Sequence, residues 1–298
     1  MEGRIVKKIS GYYDVAVGEE VIRTRAAGNM RQKKQSPLVG DWVEFTPADD
    51  QGELGYLTKI KPRMNSLVRP PVANIDQAIL VTAAVEPTFS TNLLDRFLIY
   101  LEGKHIEPLI YITKTDLVPD AEFAQLQQVL DGYAAIGYQV FAPRAAFAKD
   151  MLKALHQDFK DNLTIFTGQT GAGKSTLINH LVPGLELATG EISKSLGRGK
   201  HTTRTTSLYR AYDGLIVDTP GFSSLGLLDV TLDDLRTRFP EFVALAGGCK
   251  FRGCEHISEP HCAVRAALDA GDIMPSRYDN YLQFRAELKN QRPVYNKR

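Results

Sequence analysis

The sequence contains few cysteines and lacks long apolar segments. Only three of its 298 residues are cysteines, and they lie close together at positions 249, 254 and 262. An odd number in one short window argues against a disulfide framework and favours a reducing compartment. No run approaches the roughly 18 apolar residues that a membrane span needs, and the first residues lack the apolar core of a signal peptide. We therefore expect a cytoplasmic protein that does not enter a membrane.

A strong excess of charge of one sign is also absent. The chain has 36 Lys and Arg residues against 35 Asp and Glu residues, a net charge of +1, so the overall charge indicates no polyanionic partner. Hydrophobic residues make up 43% and charged residues 24%, which is ordinary for a globular protein and excludes wholesale disorder. The length allows two or three domains of about 100 to 200 residues each.

Residues 1–70 predict a small β-barrel. Short segments rich in β-branched and aromatic residues alternate with turn residues, which is typical of strands. These segments are 12–17, 19–26, 40–47 and 54–62. Their spacing favours a five-stranded barrel of the OB type, which often binds RNA. The basic residues Arg31, Lys33 and Lys34 fit either a solvated loop or an RNA-contacting loop.

Residues 71–226 predict an α/β domain, joined to the barrel by a stiff link at Arg69-Pro70-Pro71. Apolar runs at 77–84, 107–113 and 163–167 predict strands buried on both faces of a parallel sheet. Helical periodicity at 91–103, 121–135 and near 148–159 alternates with them. This alternation predicts a mostly parallel sheet with helices on both faces. It stops near residue 227, so residues 227–298 form a third, helical domain.

The segment Gly168–Ser175 matches the phosphate-loop pattern G-x-x-x-x-G-K-[ST] at every required position. A predicted strand precedes it and a predicted helix follows from about Lys174, the context in which this pattern binds nucleotides. Lys174 is placed for the β- and γ-phosphates and Ser175 for Mg²⁺. The residues predicted to bind a nucleoside triphosphate here are Gly168, Gln169, Thr170, Gly171, Ala172, Gly173, Lys174, Ser175 and Thr176.

A second motif, Asp218-Thr219-Pro220-Gly221, follows the apolar run that ends at Val217. Asp218 at a strand tip suits water-mediated Mg²⁺ coordination, and Gly221 leaves its N–H free to approach the γ-phosphate. Between the two motifs lies the basic, apolar-poor segment 192–206, which is typical of a γ-phosphate-sensing switch. Either Thr202 or Thr203 is placed there to complete the Mg²⁺ shell, and we assign Thr203.

Base selection points to guanine. Thr113-Lys114-Thr115-Asp116 follows a predicted strand and is similar to the N-K-x-D guanine motif. The Asp116 carboxylate can accept from guanine N1–H and the exocyclic amine, whereas adenine offers no such donor pair. Thr113 stands where asparagine normally braces this turn against the phosphate loop, so we expect guanine preference through Asp116 with lower affinity. The companion loop that contacts guanine O6, expected near 143–146, is not recognisable in the sequence.

A Cys/His cluster predicts a metal site in the third domain. The pattern C-x₄-C-x-H-x₅-C provides three thiolates and one imidazole, a closed tetrahedral set for structural zinc. The predicted ligands are Cys249, Cys254, His256 and Cys262. His261 is a competing ligand, but it adjoins Cys262 and would need tight backbone geometry. Residues 275–298 carry six Lys and Arg residues against two acidic ones, which favours contact with RNA phosphates over a solvated tail.

The order of the motifs identifies a family resemblance. The guanine motif at 113–116 precedes the phosphate loop at 168–175, which precedes 218–221. In ordinary small GTPases the phosphate loop comes first and the guanine motif late, so this order indicates a circular permutation. With the barrel before and the Cys/His cluster after, the whole chain resembles the circularly permuted, small-ribosomal-subunit-dependent GTPases (RsgA/YjeQ). The resemblance implies a GTPase that binds rRNA, acts late in small-subunit maturation and is stimulated by the subunit.

Catalysis requires a group that orients water. Phe222 follows Gly221, where many GTPases have a glutamine, and its ring cannot bind water, so intrinsic hydrolysis should be slow. His201 in the switch segment is the best candidate in this chain, and the resemblance points to the same histidine. Its alternative is an exposed loop residue or an rRNA contact. We assign the reaction to His201, with Lys174 and Thr203 contacting the triphosphate and its Mg²⁺.

The sequence leaves two other functions open. One is a P-loop ATPase or kinase that acts on a metabolite, and the other is an RNA-binding scaffold that uses GTP only as a structural or switch ligand. We favour the GTPase, with GTP or GDP, Mg²⁺ and one Zn²⁺ as its ligands. No coiled-coil heptads occur in the sequence, so a monomer is the default expectation.

Overall fold

A computed structural model describes residues 1–28, 30, 36–47, 54–182, 206–218 and 230–290. Its strands are β1 (Glu2–Ile9), β2 (Tyr12–Val17), β3 (Glu20–Ala26), β4 (Trp42–Thr46), β5 (Gly55–Ile60), β6 (Ser66–Val68), β7 (Pro71–Ala73), β8 (Gln77–Ala83), β9 (Glu107–Thr113), β10 (Gln139–Phe141), β11 (Leu163–Gly168), β12 (Ser207–Ala211) and β13 (Gly214–Asp218). Its α-helices are α1 (Thr91–Glu102), α2 (Asp120–Ile136), α3 (Lys149–Gln157), α4 (Lys174–Leu181), α5 (Leu232–Leu235), α6 (Pro240–Ala246), α7 (Ala263–Ala270) and α8 (Pro275–Asn290). Within these ranges, no helix combines the length and apolarity that crossing a bilayer requires.

The first five strands close into a barrel. Their order is β1-β2-β3-β5-β4, and β4 pairs again with β1, where Gly3 lies opposite Val43. Ile5, Val15 and Leu57 are fully buried in its core. The predicted five-stranded OB-like barrel is therefore confirmed. Strand β1 was not predicted, because charged side chains occupy most positions around Ile5 and conceal its alternation.

The predicted stiff link at Arg69-Pro70-Pro71 forms the turn of a hairpin and the first residue of β7, and is not a separate linker. Strands β6 and β7 pair with Leu67 opposite Val72, and Val39 of the barrel bridges to Val72. Pro71 is tolerated at the start of β7 because a two-stranded ribbon has unpaired outer edges, where a missing backbone N–H costs no ladder hydrogen bond. The connection to the α/β domain is thus a folded element in contact with the barrel.

The α/β domain contains a mostly parallel sheet, as predicted. Strands β10, β9, β8, β11 and β13 run parallel in that order, and β12 is antiparallel at the edge of β13. Strand β12 also pairs with β1, with Ser207 opposite Lys7, so one sheet continues into the barrel. Val81 lies opposite both Tyr111 and Gly168. This register brings the ends of β8, β9 and β11 to one edge of the sheet.

Helices cover both faces of this sheet, as predicted. On one face, Phe97 of α1 and Leu130 of α2 pack with Leu80 of β8. On the other face, Leu155 of α3 and Leu177 of α4 pack with other buried strand residues. The strands are buried on both sides, which explains their continuous apolar sequences.

The C-terminal domain has its own apolar core but shares part of it with α1. Phe239, Phe242, Tyr281 and Phe284 pack together with Ile99 of α1. Arg277 of α8 is fully buried beside them. Its guanidinium donates to Asp95 of α1 at 2.7 Å and to Glu241 of α6 at 2.8 Å. Arg277 therefore fixes the last domain to the α/β domain and cannot belong to the RNA-contacting basic surface that the tail composition favoured.

Candidate nucleotide and zinc sites

The phosphate loop connects the end of β11 to the start of α4. Gly168 has a φ of 130°, and a Cβ atom there would lie 1.9 Å from the Val81 carbonyl oxygen. Gly173 has a φ of 87° at the position before the helix. Gly168 requires glycine because both its backbone conformation and the close approach of Val81 exclude a side chain, and Gly173 favours glycine because of its positive φ. The result is a compact turn at the N-terminus of a helix, a setting that favours anions.

Lys174 lies within this loop. Its Nζ donates to the carbonyl oxygens of Gly168 and Gln169, at 2.7 Å each. Burial lowers the pKa of Lys174 to about 8, because the charged form loses contact with water. Ser175 and Thr176 follow in the first turn of α4 and are half-buried, whereas Thr170 is exposed. A cation inside a turn of backbone amides is suited to binding phosphate oxygens.

The guanine-like motif is joined directly to the phosphate loop. Thr113 ends β9, and its hydroxyl donates to the carbonyl oxygen of Ala172 at 2.6 Å. Gly173 approaches the same side chain, since a Cβ there would lie 3.7 Å from Thr113. The shorter threonine thus makes a brace of the kind that the sequence analysis attributed to asparagine. The sequence analysis predicted that threonine in place of asparagine lowers the affinity for guanine. This hydrogen bond gives no structural reason for such a loss.

The turn after Thr113 presents an exposed carboxylate. Lys114 has a φ of 57°, and a short 3-10 helix at Thr115–Leu117 follows. Asp116 is exposed on this helix, whereas Thr115 is buried. The Lys114 ammonium donates to the carbonyl oxygen of Glu86. The aliphatic part of Lys114 therefore spans from the turn to the loop after β8.

Two further loops contribute to this region: the loop after β10, where the companion loop was expected but no motif is recognisable, and the loop after β8, for which the sequence predicted no role. The loop after β10 contacts the guanine-like turn, since Thr115 donates to the Pro143 carbonyl oxygen and Arg144 donates to the Thr115 carbonyl oxygen. In the loop after β8, Pro87 lies 3.7 Å from where a Gly171 Cβ would be. A basic residue within 143–146, the expected place of the companion loop, was the only signal in the sequence.

Asp218 lies at the same sheet edge as the phosphate loop. It ends β13, which runs parallel to β11 with Ile216 opposite Thr164, and its backbone lies opposite Ser207. Its side chain is outside the described part of the chain. The predicted residues His201, Thr202, Thr203, Gly221 and Phe222 also lie outside the described residues, as do Arg31, Lys33 and Lys34.

The four predicted zinc ligands lie together in the C-terminal domain. Their ligand atoms are all within 4.8 Å of one another. His256 Nδ1 is 3.4 Å from Cys262 Sγ and 3.7 Å from Cys249 Sγ. Burial raises the pKa of the Cys254 thiol to about 12. Three sulfurs and one imidazole nitrogen at this spacing fit a structural zinc ion, and His261 is exposed outside the group.

Hydrogen bonds around the cluster hold its loop in place. Tyr278 and Tyr281 of α8 donate to the carbonyl oxygens of His256 and Glu255, at 2.6 and 2.7 Å. The Glu259 carboxylate accepts from the backbone N–H groups of Glu255, Ile257 and Ser258. Burial by itself would raise the pKa of Glu259, but these N–H groups lower it to about 2. The loop is therefore organised by groups outside the ligand set.

Comparison with known proteins gives matches along the chain. Residues 60–228 match the RsgA GTPase family, and residues 2–57 match the RsgA N-terminal domain. The chain is 57% identical to the small ribosomal subunit biogenesis GTPase RsgA of Latilactobacillus sakei subsp. sakei (strain 23K), over 99% of this chain and 98% of that protein. It is 56% identical to the protein of the same name from Limosilactobacillus reuteri (strain DSM 20016), over 99% of each.

Two solved structures are similar over nearly the whole chain. YloQ, described as a circularly permuted GTPase, has a TM-score of 0.82 and 39% identity, covering 99% of this chain and 96% of that one. YjeQ from Thermotoga maritima has a TM-score of 0.83 and 32% identity, covering 98% and 99%. Both similarities include the barrel, the permuted α/β domain and the C-terminal domain.

Proposed function

The chain belongs to the RsgA GTPase family, and from that membership we propose that it hydrolyses GTP to GDP and phosphate during biogenesis of the small ribosomal subunit. The observation that carries this proposal is the 2.6 Å hydrogen bond from Thr113 to Ala172. It joins the turn that presents Asp116 to the phosphate loop, as a single pocket for base and triphosphate requires. Family membership favours this reaction over a metabolite kinase and over a scaffold without turnover.

Guanine nucleotide binding is assigned to the two joined loops. Asp116 accepts from the guanine ring, Lys114 lies along its face, and the backbone of 168–176 holds the phosphates with the Lys174 ammonium. Mg²⁺ would be held by the Ser175 hydroxyl and by Thr203 or Thr202, with Asp218 acting through water. When bound, the ion neutralises charge on the β- and γ-phosphates. We assign the backbone N–H contact to the γ-phosphate to Gly221, on the strength of the Asp218-Thr219-Pro220-Gly221 motif.

Hydrolysis needs a group that orients the attacking water, and we assign this role to His201. Phe222 stands where many GTPases have a glutamine that orients this water, and its side chain has no polar atom. His201→Ala should remove most subunit-stimulated turnover while GTP affinity stays near that of the parent protein. Unchanged stimulated turnover would rule out this assignment.

The remaining parts of the chain are assigned to rRNA binding and attachment. We place the domains at 1–70, 71–226 and 227–298, with an OB-like barrel, the GTPase domain and a zinc-binding domain. The basic segments at 192–206 and beyond α8 are suited to rRNA phosphates. We propose a cytoplasmic monomer in which these basic sequence segments contribute to binding of the maturing subunit.

The test is GTP turnover measured with and without purified small ribosomal subunits, alongside GTP and ATP affinities. We expect slow turnover alone, strong stimulation by subunits and binding of GTP in preference to ATP. Asp116→Asn should reduce guanine affinity without reducing the affinity for inorganic triphosphate. Turnover that subunits leave unchanged would refute the ribosomal role, and equal GTP and ATP affinities would refute the guanine pocket.

A further inference from the structure

Arg144 contacts the turn that carries Asp116 at several points. Its guanidinium donates to the carbonyl oxygen of Val118 at 2.9 Å and to the carbonyl oxygen of Thr115. It also donates to the carboxylate of Asp120, at the start of α2. The same group lies 4.5 Å from the centre of the Phe123 ring. Arg144 therefore holds the beginning and the end of the short segment on which Asp116 lies.

This turn depends on outside support because its own hydrogen bonds are few. Leu117 N–H donates to the Lys114 carbonyl at 3.2 Å, and Val118 N–H donates to the Thr115 carbonyl at 3.3 Å. Short 3-10 helices with such bonds are weak. Arg144 adds a second donor to the Thr115 carbonyl and a donor to the Val118 carbonyl just after the helix. Its guanidinium therefore supplements the few bonds that the turn makes within itself.

The turn itself donates a hydrogen bond to the loop that contains Arg144. The buried Thr115 hydroxyl donates to the Pro143 carbonyl, so the turn and the loop after β10 are bonded to each other. Phe147 in the same loop stacks on His180 of α4, with ring centres 3.7 Å apart. The loop that contains Arg144 thus touches the guanine-like turn and the helix that follows the phosphate loop.

We propose that Arg144 is a positioning residue for guanine recognition, holding the Thr115–Leu117 turn so that Asp116 faces the base. This inference rests on the proposed guanine pocket and assigns no contact between Arg144 and the nucleotide. A carboxylate that accepts from two donors of one ring requires a fixed backbone, since small displacements weaken both bonds together. Thr113 fixes the residue that leads into the turn, and Arg144 holds the turn itself at Thr115 and Val118.

The test compares Arg144→Gln, Arg144→Lys and Thr115→Val with the parent protein. Affinities for GDP, GTP and inorganic triphosphate are measured by calorimetry, together with KM and kcat for subunit-stimulated turnover. We expect Arg144→Gln to weaken GDP and GTP binding by about tenfold and to raise KM with little change in kcat. Inorganic triphosphate should bind as before, and Arg144→Lys should restore part of the loss. A general loss of stability would also weaken the binding of inorganic triphosphate, so this measurement distinguishes it from a specific loss of guanine binding.

Two control variants are matched to these bonds. Arg210 also pairs with a carboxylate and a backbone carbonyl, Glu19 and Gly18, but lies near the β12–β13 turn at the opposite edge of the sheet. Arg210→Gln should leave nucleotide affinity unchanged. Asp120→Asn should also have little effect, because the Asp120 side chain is 96% exposed and surface ion pairs contribute little.

Thr115→Val provides a second, independent test, because it removes the hydrogen bond that the turn donates to the Pro143 carbonyl in the loop after β10. It should weaken GDP and GTP binding equally. If Asp116→Asn reduces guanine affinity while Arg144→Gln and Thr115→Val do not, the positioning role is wrong and the guanine pocket stands. If Asp116→Asn also leaves guanine affinity unchanged, the guanine pocket itself is wrong and the inference fails with it.

Discussion

The nucleotide pocket and the C-terminal domain are stabilised in different ways. The pocket consists of backbone turns at the ends of parallel strands, joined by single hydroxyl and ammonium contacts such as Thr113 to Ala172. The C-terminal domain depends on a few buried polar groups, the zinc ligands and Arg277. We expect loss of one contact in the pocket to lower nucleotide affinity while the sheet keeps the α/β domain folded. We expect loss of one buried charge or thiol to destabilise the C-terminal domain itself, and four predictions test this contrast.

The largest effect should follow loss of the metal. Cys262→Ala removes one of four ligands, and structural zinc supplies about 10 to 16 kcal/mol of folding free energy in small zinc domains. We expect the variant to contain no stoichiometric zinc and its C-terminal domain to unfold. Metal analysis and hydrogen exchange of 230–290 would measure both, with the α/β domain still protected.

His261→Ala is the matched control, because this exposed histidine lies beside the cluster without belonging to it. It should retain about one zinc ion per chain. A Cys262→Ala protein with a protected C-terminal domain would show that the apolar core around Phe242 is sufficient and that the contrast between the two regions is wrong.

The second prediction concerns the buried ion network. Arg277→Met leaves Asp95 and Glu241 without their partner, and breaking a buried pair from one side costs about 3 to 5 kcal/mol. Urea unfolding should show this loss, while GDP affinity should change little because the network lies away from the phosphate loop. Arg23→Met removes an exposed pair with Asp14 and should have little effect. Equal effects of the two substitutions would contradict a special role for burial.

The same contrast explains what the sequence revealed. The phosphate loop and the zinc cluster are local patterns whose spacing reflects geometry, so their residues could be listed before the structure. Arg277 was not identified, because a basic residue in the basic segment 275–298 resembles a solvated one. Its partner Asp95 lies 182 positions away in the sequence, and no local pattern connects them.

Missed elements of the fold have similar causes. Strand β1 carries charged residues on the face of the barrel that is partly open to solvent. The buried and exposed positions of β12 are set by its pairing with β13 and β1, so they cannot be read from its own sequence. The role of Arg144 was missed because its contacts are formed by folding of the loop after β10 against the turn after β9. Strand and helix propensities are local, whereas these contacts depend on tertiary structure.

The third prediction returns to the pocket. Lys174→Ala removes a half-buried ammonium, and hydrogen bonds to charged groups contribute about 1.5 to 3 kcal/mol. GTP affinity should fall by roughly 10- to 150-fold, and the urea midpoint should change little. Calorimetry with GTP and GDP measures the first effect. Unfolding at a much lower urea concentration would show that the phosphate loop needs its lysine for folding. The pocket would then depend on a buried charge, as the C-terminal domain does.

The smallest effect should come from the brace between the two loops. Thr113→Val keeps the shape of the side chain and removes the hydroxyl that donates to Ala172, which is worth about 0.5 to 1.5 kcal/mol. We expect GDP and GTP affinities to fall by the same few-fold factor, and Thr113→Asn to restore them because its amide supplies a donor. Calorimetric titration of the three proteins measures this difference.

Thr24→Val is the control for removal of a buried hydroxyl. Thr24 lies in the barrel, is fully buried and donates to the Tyr13 carbonyl oxygen at 2.9 Å, so its loss should reduce stability without changing nucleotide affinity. If Thr113→Val instead reduces stability as much as Thr24→Val and leaves nucleotide affinity intact, the bond to Ala172 supports the fold alone. The pocket would then resemble the C-terminal domain, in which buried polar groups maintain the structure.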